Sequence, residues 1–282
     1  MKLDTKPKGY RVLSLEQETP AQSKETDAEI IERLRERFEI LDDMTRAVKK
    51  GAVRAMIVSG APGVGKSFGV EKVLGKHGLM ADIANDEKLK KYEIVKGAMS
   101  AIGLYSKLYE FSAEKNILVF DDCDSVLLDD LSLNILKAAL DTSKKRTISW
   151  NTDSRLLRSE GVPNSFEFKG GAIFITNINF ANIKSKKLQD HLAALESRCH
   201  YIDLTIHTER EKMLRIKQIV GDGMLAEYDF SEEQTTNIIE FIDANKKRLR
   251  ELSLRTVLKT ADLMRSFPGD KWQRVAQISL MK

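Results

Sequence analysis

The chain has 282 residues, is 42% hydrophobic and 31% charged, and carries a formal net charge of +4. That length suits one large domain or two smaller ones, and the charge is too small to name a partner. No run approaches about 18 consecutive apolar residues, which excludes a helical membrane span, and Cys123 and Cys199 form neither a disulfide framework nor a zinc pattern.

The polar opening "MKLDTKPKGY" lacks an apolar signal core, so the expected location is cytoplasmic, in the host's cytoplasm if the protein is viral. Residues 1–27 read as a flexible lead-in. Apolar positions Ile30, Ile31, Leu34, Phe38 and Leu41 recur at helical spacing through residues 28–50, with Asp27 as cap. "RAMIVSG" suits a buried strand, and "SFGVEKVLGK" a helix. A weaker strand at 93–95 and a helix over 98–111 precede the strand "NILVFDD" and a helix over 131–140. Residues 142–170 are irregular but contain the extended pieces "RTISW" and "SFEFK". The strand "GAIFITN", a helix over 187–195 and the strand "HYIDLTI" follow. Beyond residue 208 the pattern is helical only, over about 208–219, 231–244, 251–266 and 270–280. Strand–helix alternation predicts an α/β fold with a parallel sheet sandwiched by helices. The helical tail predicts a separate small domain. The expected division is 28–206 and 207–282.

"GAPGVGKS", Gly60 to Ser67, fits G-x-x-x-x-G-K-[ST] with an apolar strand before it and a helix after it. Glycines at 60, 63 and 65 let successive N–H groups turn toward phosphate oxygens. The next helix aims its positive end at the same point. Lys66 is placed to reach the outer phosphates of ATP, and Ser67 to ligate Mg²⁺. The expected nucleotide-binding stretch is Gly60, Ala61, Pro62, Gly63, Val64, Gly65, Lys66, Ser67 and Phe68. Such a loop needs a neighbouring strand that brings a carboxylate to the metal, and "ILVFDD" ends in one. Asp121 is the expected magnesium partner, Asp122 the residue that orients or deprotonates water, and Asp124 a helix cap or solvated residue.

With these features the chain resembles the AAA+ ATPases, and its wording looks most like uncharacterised phage- and plasmid-borne AAA-family ATPases. The resemblance covers residues 30–266. It implies a P-loop NTPase fold with a helical lid that binds Mg-ATP and hydrolyses it between subunits of a ring or partial ring. The family ends its acidic strand in Asp-Glu, whereas this chain has Asp122, and the shorter arm implies slower hydrolysis. "GAIFITN" is similar to the strand carrying the family's first sensor, which implies that role for Asn177. Ser197-Arg198-Cys199 resembles the clamp-loader segment that supplies an arginine finger to a neighbouring subunit, a role implied for Arg198. "LSLRTVLKTADLM" resembles the helix of the second sensor, implying γ-phosphate contact for Arg255, with Leu254, Val257, Leu258 and Ala261 on the buried face.

Residues 142–170 exceed what the core fold needs, and the two extended pieces can pair as a hairpin. Hairpins here occur in one large AAA+ branch and often enter a ring's pore. The candidates for gripping a nucleic-acid strand are Lys144, Lys145, Arg146, Trp150, Arg155 and Arg158. Lys246–Arg250 is a further basic run, expected to be solvated. The favoured task is remodelling or translocating nucleic acid in replication or recombination. Alternatives are a protein unfoldase, for which Tyr105 and Tyr109 are the pore aromatics, and an ATP-dependent loader with weak hydrolysis.

Overall fold

The computed structural model describes residues 25–75 and 91–282, with Ala181 described in its backbone alone. The expected lead-in falls outside these residues up to position 24.

A 23-residue helix, α1 (Asp27–Lys49), opens the described chain, closed at its start by a reciprocal Thr26–Glu29 capping box. Strand β1 (Ala55–Ser59) runs into the glycine loop and then into α2 (Lys66–Leu74). β2 (Tyr92–Lys96), α3 (Ala101–Glu110) and β3 (Ile117–Asp121) follow. After β3 come the single turn α4 (Ser125–Leu128) and α5 (Asp130–Ala139). The insertion contains β4 (Thr147–Ser149), α6 (Arg155–Ser159) and β5 (Ser165–Glu167). β6 (Gly171–Thr176), α7 (Lys186–Glu196) and β7 (His200–Asp203) complete the alternating part. The tail is α8 (Glu209–Gly221), α9 (Glu232–Asn245), α10 (Leu254–Ser266) and α11 (Lys271–Leu280).

Five strands form one sheet in the order β2-β3-β6-β1-β7, every pair parallel. β1, β3 and β6 are buried along their whole length, because helices cover both faces and neither side of the pleat meets water. Alternate residues go to opposite faces. Ala55, Ile57, Leu118, Phe120, Ala172 and Phe174 meet α3, α5 and α7, with Phe120 and Phe174 stacked at 5.0 Å. Met56, Val58, Ile117, Val119, Ile173 and Ile175 meet Leu41 and Val48 of α1 and Val70 and Leu74 of α2. The molecule is thus an α/β protein whose parallel sheet is flanked by helices, a topology broadly consistent with P-loop NTPases.

The insertion forms the expected antiparallel pair, Thr147 opposite Glu167 and Ser149 opposite Ser165, with α6 in its connection. Its aromatics do not project. Trp150 is half-buried 5.6 Å from the fully buried Tyr105, and Phe166 meets both Tyr105 and Tyr109 edge-on. The two tyrosines expected as pore aromatics therefore hold the hairpin to α3. Arg146 is also withdrawn from the gripping set. It is 7% exposed, donates to Ala139 O and Gly170 O, and stacks on Phe168. Burial lowers its pKa to about 10. Lys144, Lys145, Arg155 and Arg158 are exposed.

The tail helices bury a cluster of their own, in which Met213, Ile216, Ile238, Ile242, Val257, Ala261 and Trp272 meet. On α10 the buried stripe is shifted from the expected one. Val257 and Ala261 are buried and Leu254 packs half-buried against the same cluster, but Leu258 is exposed and Thr256 and Thr260 are buried instead. The hydroxyls allow this because each donates to a backbone carbonyl, Thr256 to Glu251 O and Thr260 to Thr256 O.

Candidate functional site

The carboxyl ends of the parallel strands share one edge of the sheet, where α/β folds gather their functional groups. Between β1 and α2 the chain turns through left-handed backbone at Gly63 (φ 68°) and Gly65 (φ 104°). A Cβ at Gly63 would lie 2.7 Å from Ser253 Cβ, so the position demands glycine for space as well as for dihedral. Val64 is buried against Ile30, Leu34, Ile206 and Leu214, leaving its backbone for any ligand. α2 begins without a side-chain cap, so its first N–H groups lack that partner.

Lys66, the first residue of α2, is 6% exposed. Its ammonium donates to Gly60 O (2.6 Å), Ala61 O (2.9 Å) and Asn177 Oδ1 (2.8 Å). Burial pushes its pKa down to about 8, against the opposing pull of the Asp122 and Asp121 carboxylates, with the Arg255 charge adding to the fall. Asn177, just past β6, turns its other amide atom toward Asp122, Nδ2 to Oδ1 at 2.7 Å. One amide therefore joins the loop lysine to the second aspartate. Asp122 is exposed and sits in left-handed backbone (φ 51°), its N–H held by Ile175 O. Asp tolerates that conformation better than most side chains.

Ser67 Oγ donates to Asp121 Oδ1 at 2.9 Å. The other carboxylate oxygen of Asp121 faces Lys96 Nζ at 3.4 Å, and Lys96 also holds Glu71 at 3.1 Å. Asp124 neither caps α4 through its side chain nor stands in solvent. It accepts from Thr176 Oγ1 at 2.6 Å, and its pKa is raised by burial. A serine hydroxyl beside a carboxylate is a hard-oxygen donor pair. It suits Mg²⁺, which takes one or two protein oxygens and completes its shell with phosphates and water. Among the described residues no group of three His, Cys, Asp or Glu gathers as a metal cage.

The sheet edge thus brings Lys66, Ser67, Asp121, Asp122 and Asn177 together. Phe68 follows them with 67% of its surface exposed. The tail reaches the loop at the start of α10, where Leu254 N–H donates to Gly63 O at 3.0 Å. Ser253 is buried there, its hydroxyl without a partner among the described residues, and Arg255 is exposed, close enough for its charge to act on Lys66. Arg198 is not drawn into this group. It is half-buried between α7 and β7, donates to Ala194 O, and keeps a buried Nε without a partner among the described residues. Sequence reading missed Lys96, Glu71, Thr176 and Ser253. Lys96 is adjacent to Asp121 only through the β2–β3 register, which the sequence does not print.

A glycine turn leading into a lysine-bearing helix, beside an acid-ended strand in an all-parallel sheet, is broadly consistent with the P-loop α/β class. No family model matches the chain. It is 36% identical over 256 residues to the uncharacterised 36.7 kDa protein of the nrdC–mobD intergenic region of Enterobacteria phage T4, over 90% of this chain and 76% of that one. The chain belongs to the same family as that phage protein. A structure of Drosophila ORC bound to DNA aligns over 98% of this chain with a TM-score of 0.39 and 14% identity. The chain spans 66% of that solved chain, just under two thirds, and so slight a likeness carries no argument. No helix among the described residues is long and apolar enough to cross a membrane.

Proposed function

We propose that the protein is an AAA+ ATPase. Residues 28–206 form its nucleotide-binding domain, residues 207–282 form a helical lid, and Mg-ATP binds at the loop between them. The observation that carries this reading is the hydrogen-bonded chain Lys66–Asn177–Asp122 lying beside the Ser67–Asp121 pair. These five side chains are the parts that phosphoryl transfer from ATP to water requires.

Lys66 gives up Gly60 O and Ala61 O to bind the β- and γ-phosphates, while the backbone N–H groups of residues 60–67 line the rest of the anion. Ser67 and Asp121 would hold Mg²⁺, which would supply positive charge beside the phosphates. Asn177 orients the attacking water, and Asp122 accepts its proton. Arg255, from the lid, faces the γ-phosphate. Arg198 acts on the nucleotide of a neighbouring subunit in a ring or partial ring, where a finger of this kind is worth about 10³–10⁵ in rate. The output is remodelling or translocation of nucleic acid.

A loader with weak hydrolysis is the second reading, favoured by one feature. Asp122 Oδ1 is already engaged by Asn177 on a short arm, so proton acceptance competes with that bond. Fluorescent-ATP binding and phosphate release, each measured with and without Mg²⁺ and single-stranded DNA, test both. DNA-stimulated turnover is the expected result. Tight binding without turnover selects the loader. Absence of nucleotide binding overturns the whole reading.

A further inference from the structure

We propose that the cleft between the glycine loop and the tail helices is a binding site for strung phosphates, occupied by a single strand of nucleic acid. The cleft, about 330 Å³, is lined by Lys212, Lys246, Lys247, Arg250 and Lys282, against only two carboxylates, Glu209 and Glu251. Its apolar lining comes from the loop, through Ala61, Pro62 and Val64, and from Leu249 and Leu252 of the tail, and neither Lys66, Ser67 nor Asp121 lines it. Its charged lining is therefore distinct from the charged groups proposed to hold ATP, while Ala61, Pro62 and Val64 belong to the loop that the two sites share. The proposal deepens the nucleic-acid part of the function above and moves the strand away from the hairpin, where Arg146 and Trp150 are spent on packing.

Three observations favour a built site over an ordinary solvated run. First, among the described residues Lys246 alone of the five cations has a carboxylate partner, Asp243 at 2.8 Å. The other four, of which Lys247, Arg250 and Lys282 are exposed, keep their charge available to an incoming anion. Second, the basic segment is fixed rather than loose. Leu249 is 3% exposed and pairs with Met281, Arg250 N–H donates to Leu280 O, Lys282 N–H donates to Arg248 O, and Arg250 Nε donates to Met281 O. Charges set in place by backbone pairing lose little entropy on binding. Third, the segment leads straight into the contact with the loop. A Cβ at Gly63 would meet Glu251 Oε1 at 3.3 Å, and Leu254 N–H holds Gly63 O. A strand in the cleft would thus press on the same loop that grips ATP.

The test uses the full chain and a fluorescein-labelled oligo-dT of about 20 nucleotides, followed by anisotropy across a salt series without ATP. Lys247→Glu with Arg250→Glu should weaken binding at least tenfold. Removing two phosphate contacts should also flatten the slope of log K against log salt by about 1.4. Lys212→Gln with Lys247→Gln, which leaves the Arg250–Met281 bond intact, should weaken binding several-fold. Lys144→Glu with Lys145→Glu should bind like wild type. Labelled tripolyphosphate is tested on a Lys66→Ala background. If it binds through Lys247 and Arg250 where oligo-dT does not, the site stands and its occupant is a free polyphosphate. Binding of oligo-dT by both cleft variants within twofold of wild type overturns the proposal. So does failure of the wild type to bind either probe. Fluorescent-ATP binding on the same samples should be unchanged in the cleft variants. Its absence from the wild type would count against the ATPase reading without bearing on the cleft.

Discussion

Lys96 Nζ stands 3.4 Å from Asp121 Oδ2 while Ser67 Oγ donates to Oδ1 of the same carboxylate. A lysine at the end of β2 and a serine at the start of α2 therefore share the acid proposed to hold the magnesium ion. An ammonium at that distance repels an incoming dication, and Glu71 at 3.1 Å gives it a place to withdraw to. Lys96→Ala should strengthen Mg²⁺ binding in the presence of ATP on the order of three- to tenfold, since the lysine is mostly exposed and its field is screened. Mn²⁺ titration followed by electron paramagnetic resonance reads this directly. An unchanged or weaker affinity would mean that Lys96 supports the ion rather than competing with it.

Asp122 combines left-handed backbone with a 2.7 Å bond from Asn177. Asp122→Asn should retain ATP binding and slow turnover by about 10²–10⁴, the usual worth of a positioned base. Asp122→Glu lengthens the arm, but it strains the turn and displaces the carboxylate from Asn177. It should lower thermal stability slightly, and phosphate-release assays should show whether the added reach outweighs the lost alignment. A large fall in rate would mean that the site is built around the shorter acid.

The order of elements, the parallel sheet and the loop were legible in the residues because each rests on local signals: continuous apolar runs, glycine spacing and a lysine opening a helix. The Asp121–Ser67 pairing was foreseeable too, since one strand had to carry the carboxylate. What the residues concealed depends on which parts of the chain become neighbours. Arg146 and Trp150 read as free charge and ring, yet α3 and the end of α5 lie where the hairpin folds back, and both side chains are consumed. Lys246–Arg250 read as a solvated run, and Lys247, Arg248 and Arg250 are indeed exposed, but the residues did not disclose that a single bridge between Leu249 and Met281 fixes its backbone. Lys96 carried no signal because its importance comes from strand register alone. On α10 the buried stripe was displaced by two threonines whose hydroxyls bond to backbone carbonyls, a solution that hydrophobic patterning does not register.

Gly63 carries both a left-handed φ and a contact that leaves no room for a methyl group. Gly63→Ala should destabilise the protein by about 1–3 kcal/mol through backbone strain and displacement of Ser253. It should also loosen the Leu254–Gly63 bond that docks α10. Hydrogen exchange at Leu254 should rise in the variant. Protection equal to wild type would show that the helix is held there by its other contacts.

Arg198 has a buried Nε without a partner among the described residues and no bond to the loop residues of its own chain. Under the proposed function its target is in the next subunit, so Arg198→Ala should spare ATP binding and reduce turnover by about 10³-fold or more. Mixing this variant with Lys66→Ala protein provides the sharper measurement. Each lacks activity alone, and a ring that combines them regains some, because an intact loop in one subunit then faces an intact arginine in the next. No recovery, with mixed assembly verified by mass photometry, would remove the basis for action between subunits.

The buried ammonium of Lys66, with a pKa near 8, links stability to pH. A lysine exposed in the unfolded chain titrates near 10.4. Below about pH 8 both states carry the proton, and the cost of burying the charge is present in full. Between about pH 8 and 10.4 the folded protein releases that proton while the unfolded chain keeps it, so stability attributable to this group rises with pH. The full change is on the order of 3 kcal/mol. Lys66→Met removes the titrating group. Melting temperature is measured for both proteins from pH 7 to 10, and the wild type should gain on the variant across the upper part of that range. A constant difference would mean that the three oxygen partners of Lys66 hold its proton through the whole interval.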